Sequence, residues 1–193
     1  MLWRFGIVPG RRVDWLGNLA SRFRKRFVDA SGRRLDHACM TFRPHTGHQA
    51  LRRGRTSVAG GWYLLTTVTD RRTPWFADAD AADLVAHAHC DPRLFAGARC
   101  LAWVLMPDHW HGVVELGGET DLAGVMNRFK STTAALLNRK LGRYGAIWSK
   151  AYHDRMLRDT DDIVAALEYV SMNPVRAGLC ADPHDYVHGC FPT

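Results

Sequence analysis

Residues 100–116 constrain this chain more than any other stretch, because they hold two strand signals separated by a turn signal. Cys100-Leu101-Ala102-Trp103-Val104-Leu105-Met106 is a short apolar run stopped by Pro107-Asp108, the pattern of a buried strand. The next run opens His109-Trp110-His111-Gly112-Val113-Val114, continues to about Leu116 and ends at Gly117-Gly118. Side chains alternate along a strand, so His109 and His111 point to one face and Trp110 to the other.

The remaining elements fall into place around this pair. Trp62-Tyr63-Leu64-Leu65-Thr66-Thr67-Val68-Thr69 is rich in aromatic and β-branched residues and reads as a strand. Asp80 to Cys90 reads as a short helix ended before Asp91-Pro92. From Asp121, the positions Leu122, Val125, Met126, Phe129, Leu136 and Leu137 carry helical spacing, with Arg128, Lys130, Arg139, Lys140 and Arg143 mostly outside it, giving a long helix with a basic side. Ala151 to Leu157 reads as a fourth strand, and Thr160 or Asp159 caps a last helix whose first turn carries Asp161 and Asp162. Pro174 biases Asn173 away from helical geometry, so that helix is expected to end near it. The order strand, helix, strand, strand, helix, strand, helix predicts an α+β, ferredoxin-like (split βαβ) sandwich: a central antiparallel sheet with helices on one face.

Length and charge set the domain organisation. A chain of 193 residues with 47% hydrophobic content suits one domain with an extension. Residues 1–48 are expected to be a basic, poorly ordered extension, 49–180 the domain, and 181–193 a C-terminal tail. The net charge is +10 through Arg55 and −3 thereafter, so the excess positive charge lies at one end, which suits a polyanionic partner. A solvated tail without a specific role is the alternative reading of that arm. No stretch approaches the ~18 apolar residues of a membrane span. The start, Met1-Leu2-Trp3-Arg4, lacks a signal-peptide pattern, so a soluble cytoplasmic protein is expected. The five cysteines show no CxxC, which argues against a disulfide framework or zinc cluster.

The last helix adds chemistry. At about 100° per residue, with Ile163 at zero, Ala166, Leu167 and Val170 fall at about 300°, 40° and 340° and form one stripe. Tyr169 at about 240° and Asn173 at about 280° share its edge, one turn apart. If this helix packs on the histidine strand, two imidazoles, an amide oxygen and a phenol converge. His109, His111 and Asn173 are then candidate ligands of a divalent metal, Mg²⁺ or, given two imidazoles, Mn²⁺, with positions left for water or phosphate oxygens. Tyr169 is the candidate nucleophile. A phenol ionises near 10, so it needs activation to attack phosphorus near neutral pH. Each segment alone also fits an ordinary role: strand histidines satisfying local hydrogen bonds, and a boundary tyrosine before a helix end. Asp108 and Glu115 are candidates to orient the imidazoles, and His153 to add a polar contact or act as a base, with turn, surface and strand roles as alternatives.

These residues resemble a known family, the single-tyrosine HUH transposases of the IS200/IS605 type, and more narrowly the REP-associated tyrosine transposases. The resemblance is carried by Leu51-Arg52-Arg53-Gly54-Arg55 with Gly61 to Thr69, Met106 to His111, Phe129-Lys130-Ser131, Trp148 with Tyr152-His153-Asp154-Arg155, and Tyr169 through Leu179. It covers about residues 50–180. It implies that His109, His111 and Asn173 bind a divalent metal, and that Tyr169 attacks single-stranded DNA to leave a 5′-phosphotyrosine and a free 3′-OH. The implied substrates are extragenic palindromic repeats that fold as hairpins. Arg52, Arg53, Arg55, Arg128, Lys130 and Arg155 are the candidate DNA contacts, and the implied state is a monomer or a homodimer. A non-catalytic regulator binding hairpin DNA or RNA is the alternative, since the same fold serves as an RNA-recognition platform. The strand at Trp62-Tyr63 lacks the expected RNA-binding pattern, and the His, His, Tyr, Asn set is intact.

Overall fold

Five strands form one antiparallel sheet in the order β4-β1-β3-β2-β5. The computed structural model describes residues 57–191, and within it the chain runs β1 (Trp62–Val68), α1 (Ala79–Ala88), β2 (Ala98–Met106), β3 (His109–Leu116), α2 (Leu122–Lys140), β4 (His153–Leu157), α3 (Thr160–Ser171), α4 (Asn173–Arg176) and β5 (Gly189–Cys190). The expected extension 1–48 and Arg52, Arg53 and Arg55 lie outside the described residues. β1 and β2 both pair antiparallel with β3, so the β1-α1-β2 unit is split by the strand that follows it. This is the ferredoxin-like arrangement that the element order predicts.

Each main helix starts where an aspartate caps it. Asp78, Asp121 and Asp159 accept from the backbone N–H of Ala81, Gly124 and Asp162 at 2.9, 2.7 and 2.8 Å. Such a carboxylate satisfies an amide that the helix itself cannot.

The helices cover both faces of the sheet, which corrects the expectation of one. Trp110 of β3 packs on Phe129 of α2 with ring centroids 4.6 Å apart. Around it gather Tyr63, Leu65, Val85, Leu105, Val114 and Met126, all buried between the sheet and α1 and α2. His111 faces the other way and meets Tyr169 of α3 at 5.2 Å between ring centroids. The α3 stripe of Ile163, Ala166 and Val170 is buried on that side. Helical spacing shows which side of a helix is apolar, but not which face of a sheet receives it.

The C-terminal segment is also more than a tail. Gly189 and Cys190 pair with Val104 and Trp103, and the Tyr186 hydroxyl donates to the Leu105 carbonyl at 2.8 Å. A two-residue strand carries no periodicity to read. Among the described residues no helix is long and apolar enough to cross a membrane.

Candidate active site

The site lies at the end of the sheet where β3 begins and β1 finishes, Val68 being opposite His109. α3 leaves the far end of β4 and returns to this end, which brings Tyr169 near its last turn onto His111. The His109 and His111 rings lie edge to face with centroids 4.8 Å apart, and the His111 and Tyr169 rings also meet edge to face. His111 is buried, whereas Tyr169 keeps 40% of its surface exposed. The phenol is open to solvent on one side, which leaves room for a large substrate beside it.

Each imidazole is held by its Nδ1. Asp108 Oδ1 lies 2.6 Å from His109 Nδ1, and Thr66 Oγ1 lies 2.7 Å from His111 Nδ1. Thr66 reaches His111 because the two are directly opposed in the β1–β3 register. Arg72 Nη1 in turn donates to Asp108 Oδ2 at 3.2 Å. Burial pushes the Asp108 carboxyl up, but hydrogen bonds from His109 and Arg72, together with their charges, outweigh it and hold it below its ordinary value. Burial, reinforced by the charges of His109 and Arg72, presses His111 down to about 3, so its ring is neutral at physiological pH.

Asn173 sits one turn beyond Tyr169, as i,i+4 spacing requires, and its Nδ2 donates to the Tyr169 carbonyl at 3.2 Å. Its amide oxygen is the atom left to act as a ligand. Among the described residues no group of three His, Cys, Asp or Glu side chains is arranged to hold a metal. The candidate donors are instead two imidazoles, brought together on β3, and the Asn173 amide one turn beyond Tyr169. Such a set would suit a divalent ion, since both rings are gripped at Nδ1 and leave Nε2 as the nitrogen that could coordinate, the manner in which outer groups orient metal-binding histidines.

The other sequence-derived candidates are placed as follows. Glu115 does not orient a histidine: it pairs with Arg99 at 2.6 Å. His153 stands opposite Thr66 in β4, on the histidine face and exposed. Arg155, on the same face, pairs with Asp162 at 2.7 Å. Arg128 and Lys130 belong to α2, across the sheet from Tyr169; Arg128 donates to the Ala96 carbonyl at 2.8 Å and Lys130 to that of Ala151 at 3.1 Å. Three neighbours escaped the sequence reading. Thr66 and Arg72 become visible only with the strand register and loop path, and the Arg176 guanidinium, on α4, which follows α3 after one residue, lies 5.5 Å from the Tyr169 ring centroid.

Comparison with known proteins agrees with this architecture. The REP-associated tyrosine transposase of Escherichia coli (strain K12) is 22% identical over 139 residues, 71% of this chain and 80% of that protein. A Haemophilus influenzae protein provisionally named a REP-associated tyrosine transposase is 24% identical over 147 residues, 71% of this chain and 83% of that protein. A solved REP-associated tyrosine transposase bound to a REP hairpin shares the fold at a TM-score of 0.58 and 21% identity, over 70% of this chain and 79% of that one. The model of the family described as IS200-like transposases matches residues 57–173, more than half of the chain, and the chain therefore belongs to the IS200-like transposase family.

Proposed function

We propose that the chain nicks and rejoins single-stranded DNA through Tyr169, acting at hairpin-forming repeats like the one bound by its structural relative. The Tyr169 oxygen attacks a backbone phosphorus, the bond to the 3′ oxygen breaks, and the products are a 5′-phosphotyrosine and a free 3′-OH. Rejoining is the reverse displacement, with a 3′-OH attacking the phosphotyrosine and returning the phenol. The contact between Tyr169 and the paired imidazoles carries this reading, since it sets an oxygen nucleophile beside a candidate cation site.

His109, His111 and Asn173 would hold Mg²⁺ or Mn²⁺. Such an ion, when bound, supplies positive charge to polarise the scissile phosphate and stabilise the departing oxygen. Asp108 and Thr66 keep the two rings aimed, and Arg176 sets a cation beside the phenol, where it attracts phosphate. The REP-associated names of the relatives support repeat hairpins as the substrate class.

The test incubates the full chain with Mn²⁺ or Mg²⁺ and hairpin oligonucleotides carrying single-stranded flanks, and resolves protein–DNA adducts on denaturing gels. An adduct is expected that Tyr169→Phe abolishes while DNA binding survives. An adduct that persists undiminished in Tyr169→Phe overturns the nucleophile assignment.

A further inference from the structure

The loop after β1 meets the loop before β4 at the same end of the sheet as the histidines. Asp70 N–H donates to the Ile147 carbonyl at 2.8 Å, Ser149 N–H to that of Val68 at 2.9 Å, and Thr69 N–H to that of Asp108 at 2.8 Å. Tyr144 is three residues from Ile147, hence within about 11 Å of it along the chain.

Two features of these loops have no explanation in packing. Arg71 and Arg72 are consecutive non-glycine residues at φ of 54° and 56°, a left-handed conformation that L side chains disfavour. The strain is held by local bonds: Thr73 N–H and Oγ1 both donate to the Asp70 carbonyl, and Thr69 Oγ1 donates to those of Thr73 and Asp108. The outcome is that Arg72 reaches Asp108 while the Arg71 side chain stays 91% exposed, with only a 3.8 Å contact to Asp70. The second feature is Tyr144, 95% exposed in a turn whose Gly142 and Gly145 take φ of 59° and 115°. Arg143 steadies the turn, its guanidinium 4.5 Å from the Trp75 ring centroid and its Nη2 donating to the Tyr144 carbonyl.

We infer that this rim binds the single-stranded flank of the DNA substrate, with an unpaired base stacked on Tyr144 and the backbone phosphates held by Arg71. The inference rests on the reading above in placing DNA at this end of the sheet. A bare aromatic beside guanidinium groups is the combination that single-stranded DNA needs, a π surface for a base and cations for the backbone. The stem of a hairpin cannot use it, because paired bases are already stacked within the duplex. Unpaired nucleotides are therefore the parts of the substrate with chemistry complementary to Tyr144, and of these the flank, rather than the hairpin loop, is the one the proposed cleavage at Tyr169 brings to this end of the sheet.

The test measures affinity by fluorescence anisotropy, in a Tyr169→Phe background so that no covalent capture contributes. Two DNAs are compared: a blunt hairpin and the same hairpin with an oligo(dT) tail. Tyr144→Ala is expected to weaken binding of the tailed DNA by about 5- to 150-fold and leave the blunt hairpin unchanged, with Tyr144→Phe close to the parent. Arg71→Asn keeps a residue tolerant of positive φ, and should lower the slope of log affinity against log salt for the tailed DNA by about 0.7. Equal affinities of Tyr144→Ala and parent for the tailed DNA, or equal losses on both DNAs, overturn the proposal. Failure of the parent to form an adduct would leave this binding result intact, so the two readings can fail separately.

Discussion

A neutral imidazole offers a lone pair only from the nitrogen its neighbours leave unprotonated, which makes the partners of His109 and His111 as consequential as the rings. The Asp108 carboxylate can only accept, so His109 must carry its proton on Nδ1 and present Nε2. The Thr66 hydroxyl can accept from His111 Nδ1 to the same effect. Thr66→Val keeps the shape of the side chain but leaves a buried ring nitrogen without a partner. It should cost about 1–3 kcal/mol of stability, read from urea unfolding. The Mn²⁺ concentration needed for half-maximal adduct formation should rise about 10- to 100-fold, with DNA affinity unchanged. Asp108→Asn should act in the same direction through His109. Unaltered metal dependence in both variants would leave the histidines as structural residues. Asp108 was legible as an orienting candidate because it adjoins His109 in the chain. Thr66 was not, because 45 residues separate it from His111 and only the strand register joins them.

At the level of elements, β3 works because one strand serves two environments. Its odd positions carry the histidines, and its even positions carry Trp110 into the core beside Phe129. Gly112 follows Trp110 on that face, and a Cβ built there would collide with the indole. Gly112→Ala therefore has to move Trp110 or bend the strand, and overpacking of this kind costs about 1–3 kcal/mol. The expected result is a lower urea midpoint together with slower adduct formation, since displacing Trp110 shifts both flanking histidines. A drop in stability with no change in rate would uncouple the core from the site. The strands and helices were readable because an apolar run bounded by a turn signal and 3.6-residue spacing are local properties, as in Ala98–Met106 and Leu122–Lys140. The side of the sheet taken by α3 was not, since Ile163, Ala166 and Val170 would present the same stripe to either face. β5 is held by pairing with distant residues, and no local pattern marks it.

Across the whole molecule, His89 ties the layers together. Its ring stacks on Trp103 of β2 at 3.8 Å and lies edge-on to Phe129 of α2. Its Nδ1 donates to the Val85 carbonyl of α1, so its Nε2 is the acceptor for the Trp110 indole N–H at 3.0 Å. This arrangement requires a neutral imidazole, because protonation would place a proton between two donors. Desolvation of the enclosed ring, opposed only in part by the Val85 carbonyl, lowers His89 to about 4. His111 on the opposite face is lowered to about 3. As pH falls below about 6.5 the unfolded chain takes up protons at both histidines while the folded chain does not, so stability declines until each folded value is passed. Shifts of this size correspond to about 3 kcal/mol for His89 and about 5 kcal/mol for His111. His89→Gln removes one titration and keeps an amide oxygen to accept from Trp110. Its stability at pH 7 should fall by about 1 kcal/mol, whereas its further loss between pH 6.5 and 4 should be roughly half that of the parent. Urea melts at a series of pH values measure both quantities. A parent-like acid slope in His89→Gln would show that the acid sensitivity belongs to groups other than the buried link between β3 and α1.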